Sequence, residues 1–145
     1  MKRYLNILVA ILILVGAFTV SAQAQTAGAQ KVVANIPFAF NVGNTKLPAG
    51  KYSITVLNPS SDRKILQIRS TKGSSAIVHT TTESGNISDD AKLVFQRYGD
   101  RYFFAQVQMA GDATTFAAVK SNTERAEKLA FAGTRKQSVV VIVAE

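Results

Sequence analysis

Five residues close together in the chain, Phe95, Arg97, Arg101, Tyr102 and Phe104, have types and spacing that could do binding chemistry. Aromatic rings on one strand face offer a stacking surface for sugars or bases, and neighbouring guanidinium groups pair with carboxylates or phosphates. The same rings could equally be core, because an exposed aromatic patch promotes aggregation. Groups for covalent or acid–base chemistry are sparse. His79 is the only histidine, and it sits in Ile77-Val78-His79-Thr80 with no G-x-S-x-G nucleophile turn in the chain. Asp89 and Asp90, with Glu83 nearby, could bind Ca²⁺ or serve hydrolysis, but the D-x-[DN]-x-[DN]-G spacing is absent. With one His and no Cys, a zinc site would need three carboxylates. Ser61 and Lys64 match S-x-x-K without the companion motifs, and neither phosphate-binding glycine pattern occurs. No catalytic residue, metal site or cofactor is therefore expected.

The elements that must position the five binding candidates form a predicted hairpin. Ala91–Tyr98 and Arg101–Met109 flank Gly99-Asp100, a two-residue connection with Gly first, as a type II′ turn requires. Unbroken pairing from that turn joins residues whose numbers sum to 199, so that Phe95 faces Phe104, Arg97 faces Tyr102 and Val94 faces Ala105. Val94, Phe103, Ala105, Val107 and Met109 then share one face, and Leu93, Phe95, Tyr102 and Phe104 share the other. Both faces are apolar near the turn, so the second needs a cover. Ser121 and Glu124 have the spacing of a capping box that opens a short helix, with Ala126, Leu129 and Ala130 on one face and Gly133 as a stop. That helix is the expected cover. Ser138–Val143, an unbroken β-branched run, predicts a strand buried on both faces.

Earlier in the chain, Asn35–Ile54 predicts a strand, a tight corner and a second strand. Phe38, Phe40 and Val42 alternate, Gly43-Asn44 breaks the pattern, and Leu47-Pro48-Ala49-Gly50 fits a type I turn before Tyr52, Ile54 and Val56. The first strand is predicted over residues 31–42 with a bend at Pro37, which lacks a ladder donor. Further strands are predicted over 51–57, 64–70 and 75–82. The fold class is all-β with one short α-helix, a small antiparallel β-barrel or β-sandwich of about seven strands.

The pattern Phe40-x-Val42-Gly43-(x)3-Leu47-Pro48-Ala49-Gly50-x-Tyr52, with Leu93–Asp100 and Ser121–Arg125, resembles a family of small signal-peptide-bearing exported proteins of Acidobacteria and related soil bacteria. The resemblance implies export and supplies no site residues. L-P-x-G-x-Y is also similar to a turn-to-strand motif of transthyretin-like and other immunoglobulin-like modules.

The N-terminus reads independently as a secretory signal over residues 1–24: Lys2 and Arg3, the run Leu5–Val15 that is apolar but for Asn6, and the A-x-A site Ala22-Gln23-Ala24, with Val20-Ser21-Ala22 as an alternative. Residues 25–30 read as a flexible mature terminus and 31–145 as one β domain. Without Cys, the fold of an exported chain must rest on packing alone. The chain carries 17 Lys and Arg against 9 acids. Losing Lys2 and Arg3 would leave a side-chain balance of about +6, with the charges scattered rather than in a run. Such a balance favours anionic partners, such as an anionic polysaccharide or another envelope component. Nucleic acid is disfavoured because no basic run occurs, and a stable membrane span because the apolar stretch is short and expected to be cleaved. The expected function is an exported, non-enzymatic module, periplasmic or extracellular, that binds a ligand such as an anionic glycan. The alternatives are a small hydrolase using Asp89, Asp90 and His79, or a purely structural envelope protein.

Overall fold

The computed structural model describes residues 30–133 and 137–144; the expected signal peptide and residues 25–29 lie outside them. Ten strands and one helix follow one another as β1 (Lys31–Ile36), β2 (Phe40–Val42), β3 (Thr45–Leu47), β4 (Gly50–Val56), β5 (Ile65–Ser70), β6 (Ser75–Ser84), β7 (Lys92–Tyr98), β8 (Arg101–Gln108), β9 (Thr114–Ala118), α1 (Asn122–Ala130) and β10 (Gln137–Val143). The all-β class with one short helix holds. The strands form a single large sheet that is not closed, so the protein is not a complete barrel.

Pairing runs β1-β4-β5-β6-β9-β8-β7-β10, all antiparallel. The long strand β6 joins the two halves of the sheet. Ser75–His79 pair with β5, and Thr80–Ser84 pair with β9. The sheet curls until β1 and β10 approach within 8 Å between Cα atoms without pairing. Three strands more than expected arise locally. Pro37 splits the first predicted strand into β1 and β2. Gly43, at φ 61°, turns β2 into the three-residue β3. Strand β9 carries only one large apolar residue, Phe116, and so has too weak a pattern to read from sequence.

One core serves both halves of the sheet. The predicted alternations fill it: Phe40 and Val42 from β2, Tyr52, Ile54 and Val56 from β4, Leu66 and Ile68 from β5. The second half adds Leu93, Phe95, Phe104, Val107 and Phe116. The Tyr52 hydroxyl donates to the Pro48 carbonyl at 2.7 Å, which ties the Leu47–Gly50 turn to the strand it feeds.

Three expectations about this second half are corrected. The 199 register holds only from the turn to Phe95–Phe104. Beyond it Val94 pairs with Gln106, and Ala105 is the extra residue of a β-bulge. A bulge resets the alternation, so Val107 and Met109 join Phe104 in the core instead of facing outward with Phe103. Among the described residues strand β10 pairs with β7 alone and is an edge, not an interior strand. Val140 and Ile142 pack on the core, whereas Val139, Val141 and Val143 stand outward, each more than half exposed. Finally, α1 does not dock through Ala126, Leu129 and Ala130, which are exposed, Leu129 to 77%.

The helix instead docks on the outer face of the β7–β8 hairpin by other contacts. Glu127 pairs with Arg101. The Phe131 ring lies against Gly99, where an added Cβ would meet its Cζ at 2.9 Å. Tyr98 and Phe103, in edge-to-face contact at 5.8 Å, are buried on this outer face and form a second apolar patch apart from the main core. The face expected to need that cover, carrying Leu93, Phe95, Tyr102 and Phe104, is instead part of the main core and is closed by Phe38 and Phe40, and α1 lies over the opposite face.

Candidate functional site

The five predicted binding residues separate in the structure. Phe95 is fully buried and Phe104 is 2% exposed. Phe95 meets Phe38, Phe40 and Phe104 edge-on at 5.3, 5.3 and 5.9 Å. Both are core rings and neither can stack on a ligand. Their types in sequence do not distinguish the two uses; the hairpin β2–β3, folding over them, decides it. Tyr102, Arg97 and Arg101 remain at the surface, but they are engaged. Tyr102 stacks on Phe38 at 4.0 Å with 17° between the planes, and the Arg97 guanidinium lies 5.4 Å from its centroid. Arg97 Nε donates to the Gly99 carbonyl at 2.7 Å, with Asp100 3.7 Å from its Nη2. Arg101 pairs with Glu127. The hollow beside them, bordered by Asn41, Lys46, Arg101 and Tyr102, measures only about 100 Å³. His79, Asp89 and Asp90 are all exposed. Among the described residues no three His, Asp or Glu side chains gather as metal ligands.

A better-formed site lies where the sheet meets the start of α1. Strand β9 is flanked by β6 and β8, with Ala117 opposite Thr81 on one side and Gln106 on the other. A small residue between longer ones leaves a trough on the outer face. The bulge at Ala105 widens it, because there β8 exchanges its partner β9 for β2. The resulting pocket, about 240 Å³, is lined by Ala105, Ala117 and Ala118, by the polar Thr81, Gln96 and Gln106, and by Glu83, Lys120 and Glu124.

Glu124 is the unusual member. Ser121, extended at φ −71° and ψ 163°, caps α1, and its hydroxyl accepts from the Glu124 N–H at 3.1 Å. That is half of the predicted capping box. The Glu124 carboxylate does not complete it, but turns down toward the sheet beside the Tyr98 hydroxyl. The residue is only 4% exposed, and its Oε1 is buried with no hydrogen-bond partner. The nearest cation, Lys120 Nζ, is 3.8 Å away. A buried acceptor without a donor carries its full desolvation cost. Burial accordingly raises the Glu124 carboxyl above its ordinary pKa, with Lys120, Tyr98, Lys128 and Arg125 pulling the other way. Larger hollows, about 360 and 280 Å³, border Gln30 and Asp112. Their carboxylate is satisfied: Asp112 accepts from the Thr114 N–H at 2.8 Å and from Gln30 Nε2 at 3.2 Å.

The raised pKa has a measurable consequence. Glu124 holds its proton more tightly in the folded chain than in the unfolded one, so its contribution to stability is fully present below the unfolded value, about 4.3. It is lost as pH rises through the folded pKa. Glu124→Gln removes this dependence. Urea midpoints compared across pH should show wild type falling relative to the variant as pH rises from about 4.3. Asp112, lowered chiefly by the Thr114 N–H, works in the opposite direction but is common to both proteins. Parallel curves for the two would mean that Glu124 is not desolvated.

Sequence reasoning missed this pocket because its members span residues 81–124 and belong to four strands and a helix. Ser121-x-x-Glu124 carries a sufficient explanation as a cap, which hides the second use of the carboxylate. Compared with family models, curated proteins and solved structures, the chain matches none.

Proposed function

We propose that this chain is an exported, non-enzymatic β module of the envelope or extracellular space, which holds a small ligand in the pocket at the start of α1. The observation that carries the binding reading is the buried Glu124 Oε1, an acceptor without a donor that lines a hollow of about 240 Å³. A folded chain tolerates such an atom most readily where an incoming molecule satisfies it. Export is supported by Lys2, Arg3, the apolar run Leu5–Val15 and Ala22-Gln23-Ala24, together with the resemblance to small exported proteins.

The test is native mass spectrometry of the protein taken from the envelope and medium fractions of its host. A chain lacking residues 1–24 and carrying a stoichiometric added mass, lost in Ala117→Leu, is the expected result. An uncleaved chain retained in the cytoplasm would overturn export. A bare mass in every fraction, with no gain in melting temperature from any of a panel of small polar compounds, would overturn the binding reading.

An anionic glycan on the rim of Lys46, Arg97, Arg101 and Tyr102 is the second reading, favoured by the net charge of +8. Asp100 and Glu127 offset two of its three cations. If it holds, polygalacturonate retains the protein at low salt and Lys46→Glu elutes earlier.

A further inference from the structure

We infer that the Glu124 pocket takes a ligand headed by a primary ammonium group on a short stem, with the ammonium donating to Glu124 Oε1. This rests on the reading of that pocket as the ligand site, and adds the chemistry of what enters it. Three features of the lining select it.

The first is the balance of charge. The chain as a whole is strongly basic, at +8, yet the titratable groups of this pocket are two carboxylates, Glu83 and Glu124, and one cation, Lys120. An anion entering here would meet two like charges. An ammonium would meet two opposite ones.

The second is the geometry around the acceptor. Lys120 Nζ stands 3.8 Å from Glu124 Oε1, near enough to lower the cost of the charge and too far to donate a hydrogen bond. The donor position on Oε1 is therefore vacant while a cation already waits at the rim. The Gln106 amide is directed elsewhere: its Nε2 donates to Glu83 Oε2 at 3.3 Å. An ammonium brings three donors. One satisfies Glu124 Oε1, and the others are free for Glu83 and the Thr81 hydroxyl.

The third is size and surface. About 240 Å³ leaves room for a small organic molecule. The small residues Ala105 and Ala117 give the stem an apolar wall. Ethanolamine, as in a lipid headgroup, and an amino sugar both fall in this size range and share the recognised group. A neutral polyol would also donate to Oε1, but would leave the second carboxylate uncompensated.

The experiment is a titration of the ¹⁵N-labelled protein with matched pairs, ethanolamine against ethylene glycol and glucosamine against glucose, following the side-chain amides of Gln96 and Gln106. The amines should shift those amides and bind at least about tenfold more tightly than their neutral partners, a difference of ~1.4 kcal/mol. Glu124→Gln should remove that preference. Binding by glucosamine alone would assign a sugar source, and by ethanolamine alone a lipid one. Equal binding of amine and neutral partner at Gln96 and Gln106 would overturn the ammonium class while leaving the pocket as a ligand site. No shift of these amides by any of the four at about millimolar concentration would overturn both. The wild-type amide shifts decide the matter even if the variant is poorly folded.

Discussion

Replacing Phe95 by alanine should destabilise the protein by about 3–5 kcal/mol, the range for emptying a fully buried aromatic site. Phe95 has no exposed surface and sits at the centre of an aromatic group, with Phe38, Phe40 and Phe104 each edge-on to it. Those contacts come from three segments: the β1–β2 link, β2 and β8. The cavity would therefore open where the short hairpin β2–β3 closes over the sheet, and a three-residue strand has little ladder of its own to hold it there. Urea unfolding of wild type, Phe95→Leu and Phe95→Ala should give a graded loss in midpoint. A Phe95→Ala midpoint close to wild type would mean that the ring faces solvent, and would return it to the list of ligand contacts.

Gly99→Ala should be the most costly change of a surface residue. Gly99 has φ 59°, and an L-residue held in that region costs about 1–2 kcal/mol. A second cost adds to the first. The new Cβ would lie 2.9 Å from Phe131 Cζ, so the ring must move and the end of α1 with it. The two contributions separate in a Phe131→Ala background, where the steric contact is gone and only the backbone cost remains. Thermal melts of the two single variants and the double variant should therefore be non-additive, the double being more stable than the sum predicts. Strict additivity would show that Phe131 does not rest on Gly99.

The contrast between these two sites shows what was legible in the sequence. Gly99-Asp100 announces its turn because only a glycine suits the first position, and the structure gives that residue a positive φ. Alternation likewise marked Tyr52, Ile54, Leu66 and Ile68 as inward, since half-buried strands write burial with a period of two. Reading failed where one residue served a non-local purpose. Ala105 carries no mark of being a bulge, yet it moved Val107 and Met109 to the opposite side of the sheet. Ser138–Val143 has the composition of an interior strand, yet no strand among the described residues pairs on its far side. Glu124 satisfied a local rule at the helix start and so gave no sign of its burial against Tyr98. Phe95 and Phe104 were correctly paired with each other, but pairing does not say which side of the sheet the rest of the chain will cover.

The open edge at β10 also bears on how the protein behaves in company. Gln137–Val143 is seven residues long, uncharged and free of Pro and Gly, with Val139, Val141 and Val143 turned to solvent beside an unpaired backbone. Such a segment has the makings of a cross-β seed, and natural edges usually carry a lysine or a proline to prevent that. This edge carries neither among the described residues. Repulsion between like-charged molecules, from a side-chain balance of about +6 once Lys2 and Arg3 are removed, opposes such association. That protection is colloidal rather than structural, and it shortens with ionic strength, to a reach of about 8 Å at physiological salt. The basic character of the chain thus acts as a safeguard against self-templating, whatever it contributes to binding.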